Sequence, residues 1–426
     1  MQNIIANEVS SFLQVVTRSS IESYINAAMT LLQHYLVSQL PSMQIVVVNL
    51  CVSMSSIISL SVTGFHMAFL QVYSQNEHTN INLYSIAQAG FILNFVIVFG
   101  IIEFYMCISA IISVFLDTHE ASMANTYMWI VLLGLLAHTF NCVLKYVLVF
   151  RKRAMIKSTI VVSGMILRGV LSLVLSRSHG YIGLAVAYST GSIAECCAYV
   201  ICNIMFCCKL SFHELANPSM VYIIEYTKVG VLSMVTTVTS CNYLHVSMLL
   251  VQYMLTNTEI LLHTFMFSIA TIEYYTQTSP IFNTSWSRTM FSDNHNIVML
   301  IIAFYTLFSS VLVILSNMIF GFAISSVYTS DPVLQERLVR HLPFVALYCN
   351  MEKTLASLTG VLHGHGEQIG VATVNFIGYM IIGPMLQVVL QKTYGLVGAW
   401  IAMSATSILM ITASAFLLRL KILSRM

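Results

Sequence analysis

Five carboxylates stand inside long apolar runs: Glu22, Glu103, Glu195, Glu273 and Glu352. A charge at bilayer depth costs at least about 2.5 kcal/mol unless it is paired or hydrated. Each acid must therefore face an interior or water, and each is a candidate for handling an ion or substrate. Glu22 follows Arg18 by one helical turn, which reads as a structural ion pair. Glu103 and Glu195 have no cation nearby in sequence. They are either neutral carboxyls, acids paired across helices, or functional groups. Glu273 lies in "ATIEYYTQTSP" beside Tyr274, Tyr275, Thr276 and Gln277, a composition that fits the wall of a polar cavity. Glu352, in "YCNMEKTLASLTG", is the strongest candidate. Asn350 and Lys353 are close in sequence, but Lys353 is one residue along and points to a different helix face. His245, in "CNYLHVSML", is the only titratable residue in the middle of its run. Its side chain is a possible proton carrier, with a hydrogen-bonded interior histidine as the alternative.

No enzyme constellation accompanies these groups. The sequence has no phosphate-binding P-loop, no G-x-S-x-G elbow and no Cys-x-x-Cys pair. His363 and His365 sit two apart in "LHGHGEQIG" without a Cys or Asp partner, so no metal site is expected. Neither a catalytic activity nor a cofactor is expected.

The elements that must position these residues are transmembrane helices. The chain is 58% hydrophobic and 8% charged, where a soluble domain carries about 25% charged residues. Its solvent is lipid. In hydrocarbon every backbone polar group needs an internal partner, which leaves helices or a closed barrel. Long unbroken apolar runs, rather than period-two alternation, select helices. We read about twelve spans, each on the order of 20 residues. Polar breaks such as "SQNEHTN", "RKRAMIK", "SRSHG", "KLSFHELANPS" and "HGHGE" separate them. The formal net charge of +2 offers no footprint for nucleic acid. The cysteines of "AECCAYVICNIMFCC" read as packing residues, with Cys207 and Cys208 as candidates for lipidation.

Alternate loops differ in charge. Arg151, Lys152, Arg153, Lys157, Lys209 and Arg288 fall in even-numbered loops, and Arg419, Lys421 and Arg425 in the tail. Arg177, Arg337, Arg340 and Lys392 fall in odd ones. The positive-inside rule then places both termini in the cytoplasm. "GYIGLAVA" at 180–187 matches "GLVGAWIA" at 395–402, and each copy opens the last span of a six-span half. This predicts two parallel repeats, an N-terminal bundle over 1–208 and a C-terminal one over 209–426.

The stretch "EKTLASLTGVLHGHGEQIGVATVNFIGYMIIGP" resembles a segment of the multidrug and toxic compound extrusion (MATE) family, in its animal and plant branch. Glu352, Gly360, Val361, Leu362, Gly364, Gly366, Gln368, Gly370, Asn375, Tyr379, Gly383 and Pro384 carry the match. Upstream, Asp331, Leu342, Pro343 and Leu347 are similar to the family's stretch before its tenth helix. The resemblance implies an all-α, MATE-like membrane protein with two six-helix bundles. It makes Gly360, Gly364, Gly366, Gln368, Asn375 and Gly383 a structural motif. In the family "GHGEQ" is a short cytoplasmic turn between the tenth and eleventh helices, with its polar side chains in water.

The implied activity is proton-coupled antiport of small organic cations and xenobiotics across a plasma or organelle membrane. Glu352, Glu273 and His245 would bind proton and substrate, sodium being the alternative coupling ion, and the chain would act as a monomer in the bilayer. Departures are visible as well. The family's seventh helix carries acidic residues beside a Trp-Trp pair, and "TSCNYLHVSML" has neither. That loss keeps two other readings open: a transport-inactive paralogue, and a carrier of a lipid-like substrate.

Overall fold

A computed structural model describes residues 2–69, 72, 83–115, 118–150, 153–206, 220–291, 295–329 and 331–423, with some helix side chains also outside the description. The described residues are helical almost throughout and contain no strand. In chain order the helices are α1 (Gln2–Ser38), α2 (Ser42–His66), α3 (Leu83–Phe115), α4 (Thr118–Phe150), α5 (Ala154–Phe206) and α6 (Met220–Met254). Then come α7 (Asn257–Glu273), a π-helical segment (Tyr274–Thr278), α8 (Ser279–Phe291), α9 (His295–Tyr328) and α10 (Pro332–Gly364). Last are α11 (Gln368–Asn375), a second π segment (Phe376–Ile382) and α12 (Gly383–Leu423).

The two longest helices, α5 and α12, each bend once. The bends fall at the predicted repeat. Gly180 has φ 56° and ψ −131°, and Gly395 has φ 58° and ψ −138°. These are left-handed values that a side chain resists. Three residues on, a Cβ at Gly183 would sit 2.1 Å from the Leu175 carbonyl oxygen, and one at Gly398 2.1 Å from that of Leu390. The paired glycines thus build the same hairpin twice.

Contacts divide the chain into two compact units: Leu32–Val238, and Met1–Leu31 together with Thr239–Met426. Within the first, Val47, Val48 and Cys51 of α2 pack with Ala124 and Met128 of α4 and with Leu184 and Ala185 of α5. Polar side chains stitch α4 to the second arm of α5. Ser189 donates to the Ile130 carbonyl at 2.6 Å, Asn141 to that of Ser192 at 3.3 Å, and Asn203 to that of Leu144 at 3.3 Å. Such bonds hold helices together where the hydrophobic effect offers no drive. His66 is buried, with Tyr226 Oη at 2.9 Å and Asn94 Oδ1 at 3.1 Å. Glu195 is buried against Arg168, which also lies over the Tyr188 ring. Of the readings open for this acid, the ion pair is the one found. Glu103 is exposed on α3.

In the second unit, Tyr348, Leu396, Trp400 and Met403 form the main core. Phe12 of α1 joins Val298, Ile302, Val361 and Leu418 in a smaller one. Glu8 of α1 is ion-paired with Arg288 of α8. Gln387 and Gln391 of α12 donate to the Ser247 and Leu250 carbonyls of α6. The Arg18 side chain and residues Cys207 and Cys208 lie outside the described residues. The described cysteines are free thiols, with Cys51, Cys142 and Cys349 buried.

The turn between α10 and α11 corrects one expectation. "GHGEQ" is not simply solvated: Gln368 is buried, and so is His363 in the last turn of α10 just before it, which is 4% exposed and packed on Phe282 and Trp286. α8 runs on to Phe291 and supplies the Trp286 surface. Burial pushes the His363 imidazole from 6.5 down to about 4. The unfolded chain then binds the extra proton between those values, so stability falls as pH drops from 6.5 towards 4. The full loss is about 3 kcal/mol at ~1.4 kcal/mol per pKa unit. His363→Phe is expected to flatten the acid side of a melting-temperature profile relative to wild type.

Candidate functional site

Glu352 sits in the buried half of α10 at 7% exposure. Its two carboxylate oxygens lie 2.8 and 2.7 Å from Tyr379 Oη, and Ser407 Oγ donates to one of them at 2.5 Å. Tyr379 comes from the second π segment and Ser407 from the second arm of α12. Tyr243 of α6 backs Tyr379, with ring centroids 5.2 Å apart. The carboxylate is thus held by two neutral hydroxyls, and no cation pairs with it among the described residues. The other described acids with named cationic partners differ in this respect: Glu195 has Arg168, Glu8 has Arg288, Glu336 has Arg340 and Glu367 has Lys421.

The π segment is what aims Tyr379. One added residue per turn rotates the following side chains and frees backbone groups, a feature common at functional sites. The same device recurs between α7 and α8, where the first π segment starts directly after Glu273 and contains Gln277. Glu273 accepts from Asn317 Nδ2 of α9 at 2.9 Å. Lys353, 1% exposed, donates to Gln277 Oε1 at 2.5 Å and reaches Asn350 Oδ1 at 3.4 Å. Cys349 and Lys353 both act on Glu273 electrostatically. Two polar clusters therefore lie on different faces of α10. Glu352 faces α12 and the second π segment, whereas Lys353 faces the first π segment.

Among the predicted residues, Glu352 and Glu273 are placed in these separate clusters. His245 is on α6, and its side chain lies outside the described residues, as does that of Tyr275. Thr276 bonds back to the Ile272 carbonyl of its own helix. The motif glycines serve packing. A Cβ at Gly360 would lie 2.7 Å from the Phe282 carbonyl oxygen, and one at Gly364 2.6 Å from Thr289 Cβ, so α10 meets α8 at backbone distance. At Gly383 a Cβ would strike the Tyr243 ring at 2.6 Å. That glycine makes room for the ring behind Tyr379. Gly366 takes φ 79° to turn the chain, and Asn375 is buried. Gly360→Leu is expected to lower stability by about 1–3 kcal/mol through overpacking, read as a fall in melting temperature. Sequence reasoning missed Ser407, Asn317 and the burial of Lys353. A lysine one position from a buried acid was the available signal.

These helices form an all-helical, multi-pass membrane-protein fold. More particularly, it is the fold of the MATE transporters. The structure is similar to the crystal structure of the eukaryotic MATE transporter AtDTX14, with TM-score 0.83 and 16% identity, covering 98% of this chain and 96% of that one. It is also similar to an outward-facing multidrug resistance MATE family transporter of the MOP superfamily, at TM-score 0.78 and 14% identity over 96% of each chain. A third is a MOP superfamily transporter from Pyrococcus furiosus described by a reverse polarity of its binding pocket, at TM-score 0.79 and 15% identity over 96% and 95% of the two chains. No family model matches the chain, and no curated protein matches it by sequence.

Proposed function

We propose that this chain is a MATE-family secondary transporter that expels small organic cations in exchange for protons, with Glu352 as the exchange site. The carrying observation is a buried carboxylate held by the Tyr379 and Ser407 hydroxyls, with no cationic side chain paired to it among the described residues. Either a proton or a cationic substrate can neutralise such a group, and the two compete. A cation arriving at the carboxylate displaces its proton, and a returning proton releases the cation. Neutral hydroxyl donors suit this exchange because they bind the carboxylate without cancelling its charge. Both neutralised forms lower the cost of carrying the acid through the apolar lobe, so only they permit alternation.

The repeats at 1–208 and 209–426 belong to this reading, supported by the matching bends at Gly180 and Gly395. So do cytoplasmic termini, from the loop charges, and action as a monomer in a plasma or organelle membrane. Glu273 lies in the same unit and supports the field at α10. In this reading His245 on α6 is the second proton carrier.

The test is uptake of a fluorescent organic cation into proteoliposomes under an imposed pH gradient. Uptake that follows the gradient supports the reading. Folded protein that gives no uptake beyond empty liposomes, in either gradient direction, overturns it.

A further inference from the structure

The cluster on the other face of α10 has the makings of a cation site. Glu273 brings a carboxylate, one of whose oxygens is buried with no hydrogen-bond partner among the described residues. Gln277 Oε1 and Asn350 Oδ1 bring two amide oxygens, and Asn317 orients the carboxylate from α9. Asn317, Asn350 and Lys353 are each more than nine-tenths buried. Carboxylate and carbonyl oxygens together are the ligand set of hard cations. Here the cation is Lys353, whose ammonium contacts Gln277 and Asn350 and acts electrostatically on Glu273 and Cys349.

We infer that Glu273, Gln277 and Asn350 form a hard-cation site that the chain fills with its own Lys353 ammonium, closing this site to sodium. The geometry argues for a tethered ion over a chance neighbour. Lys353 presents three donors and no acceptor. The nearest groups it touches are two amide oxygens from two helices, and the neighbouring carboxylate supplies the charge that a buried ammonium needs. The consequence deepens the proposed function by leaving Glu352, and hence the proton, as the exchange group of this unit. That consequence rests on the transport reading. The site itself does not.

The test uses purified full-length protein and needs no transport. Melting temperature is measured as sodium chloride replaces choline chloride at constant ionic strength, for wild type, Lys353→Met and the double variant Glu273→Gln/Lys353→Met. Wild type is expected to show no response to sodium. Lys353→Met is expected to melt several degrees lower in choline. It should recover as sodium rises, in proportion to the logarithm of its concentration once the site is near saturation. The double variant, lacking both charges, should fold and ignore sodium. A folded Lys353→Met with no sodium response overturns the proposal. So does a wild type stabilised by sodium as strongly as the variant. If Lys353→Met does not fold in either salt, the double variant decides. Its recovery of folding supports the charge balance, and an equal failure overturns it. A transporter that fails the flux test can still pass this one, so the two failures are distinguishable.

Discussion

Glu352→Gln is expected to reduce pH-driven cation uptake to the level of empty liposomes while leaving the fold intact. The amide keeps the size of the carboxyl, and its one oxygen, placed at the Oε1 position, can still accept from both Tyr379 and Ser407, which lie 2.8 and 2.5 Å from that position. What it loses is the charge that a proton or a cation neutralises. Coupling is therefore removed without removing packing. Tyr379→Phe is the graded control. A hydrogen bond to a charged acceptor is worth about 1.5–3 kcal/mol. Losing that hydroxyl should leave exchange detectable but shift its pH dependence. A purely structural role for Tyr379 would move the melting temperature and leave the pH profile of exchange in place.

The second large effect is on stability. Arg168→Ala is expected to destabilise the protein by about 3 kcal/mol, the lower end for breaking a buried pair by removing one partner. Glu195 is 9% exposed at its side chain and would be left without its counter-charge, whereas Arg168 itself is 28% exposed and gains some compensation from solvent. Gly164 and Gly191 flank the pair at distances that leave no space for a rearranged partner: a Cβ at Gly191 would lie 2.0 Å from Arg168 Cγ. The double variant Arg168→Met/Glu195→Gln should recover most of the loss, because it removes both charges together. The measurement is thermal melting of wild type and the two variants in one detergent. Equal destabilisation of the single and double variants would show that packing, not charge, holds this joint.

Much of this was legible in the sequence, for definite reasons. Apolar runs fix helices because lipid permits little else. The cost of a buried acid points to Glu352 and Glu273. The glycines of the repeat mark bends because only glycine takes φ near 56° at little cost. Other features leave no local trace. Arg168 and Glu195 are 27 residues apart and meet only because α5 folds back at Gly180. The π segments that aim Gln277 and Tyr379 have no residue signature, since tertiary contacts decide where a helix takes an extra residue. His363 looked solvated because the turn is polar; Trp286, on a helix that outran its apolar stretch, covers it. Lys353 was read correctly as facing away from Glu352, but its destination depends on a helix some 75 residues earlier in the chain.

The most direct test of the exchange claim is proton release from purified protein in weakly buffered detergent solution, followed with a pH dye as an organic cation is added. The account predicts release by wild type that saturates with the cation and is absent in Glu352→Gln. Release of equal size from Glu352→Gln would contradict it, because the proton would then be leaving another group.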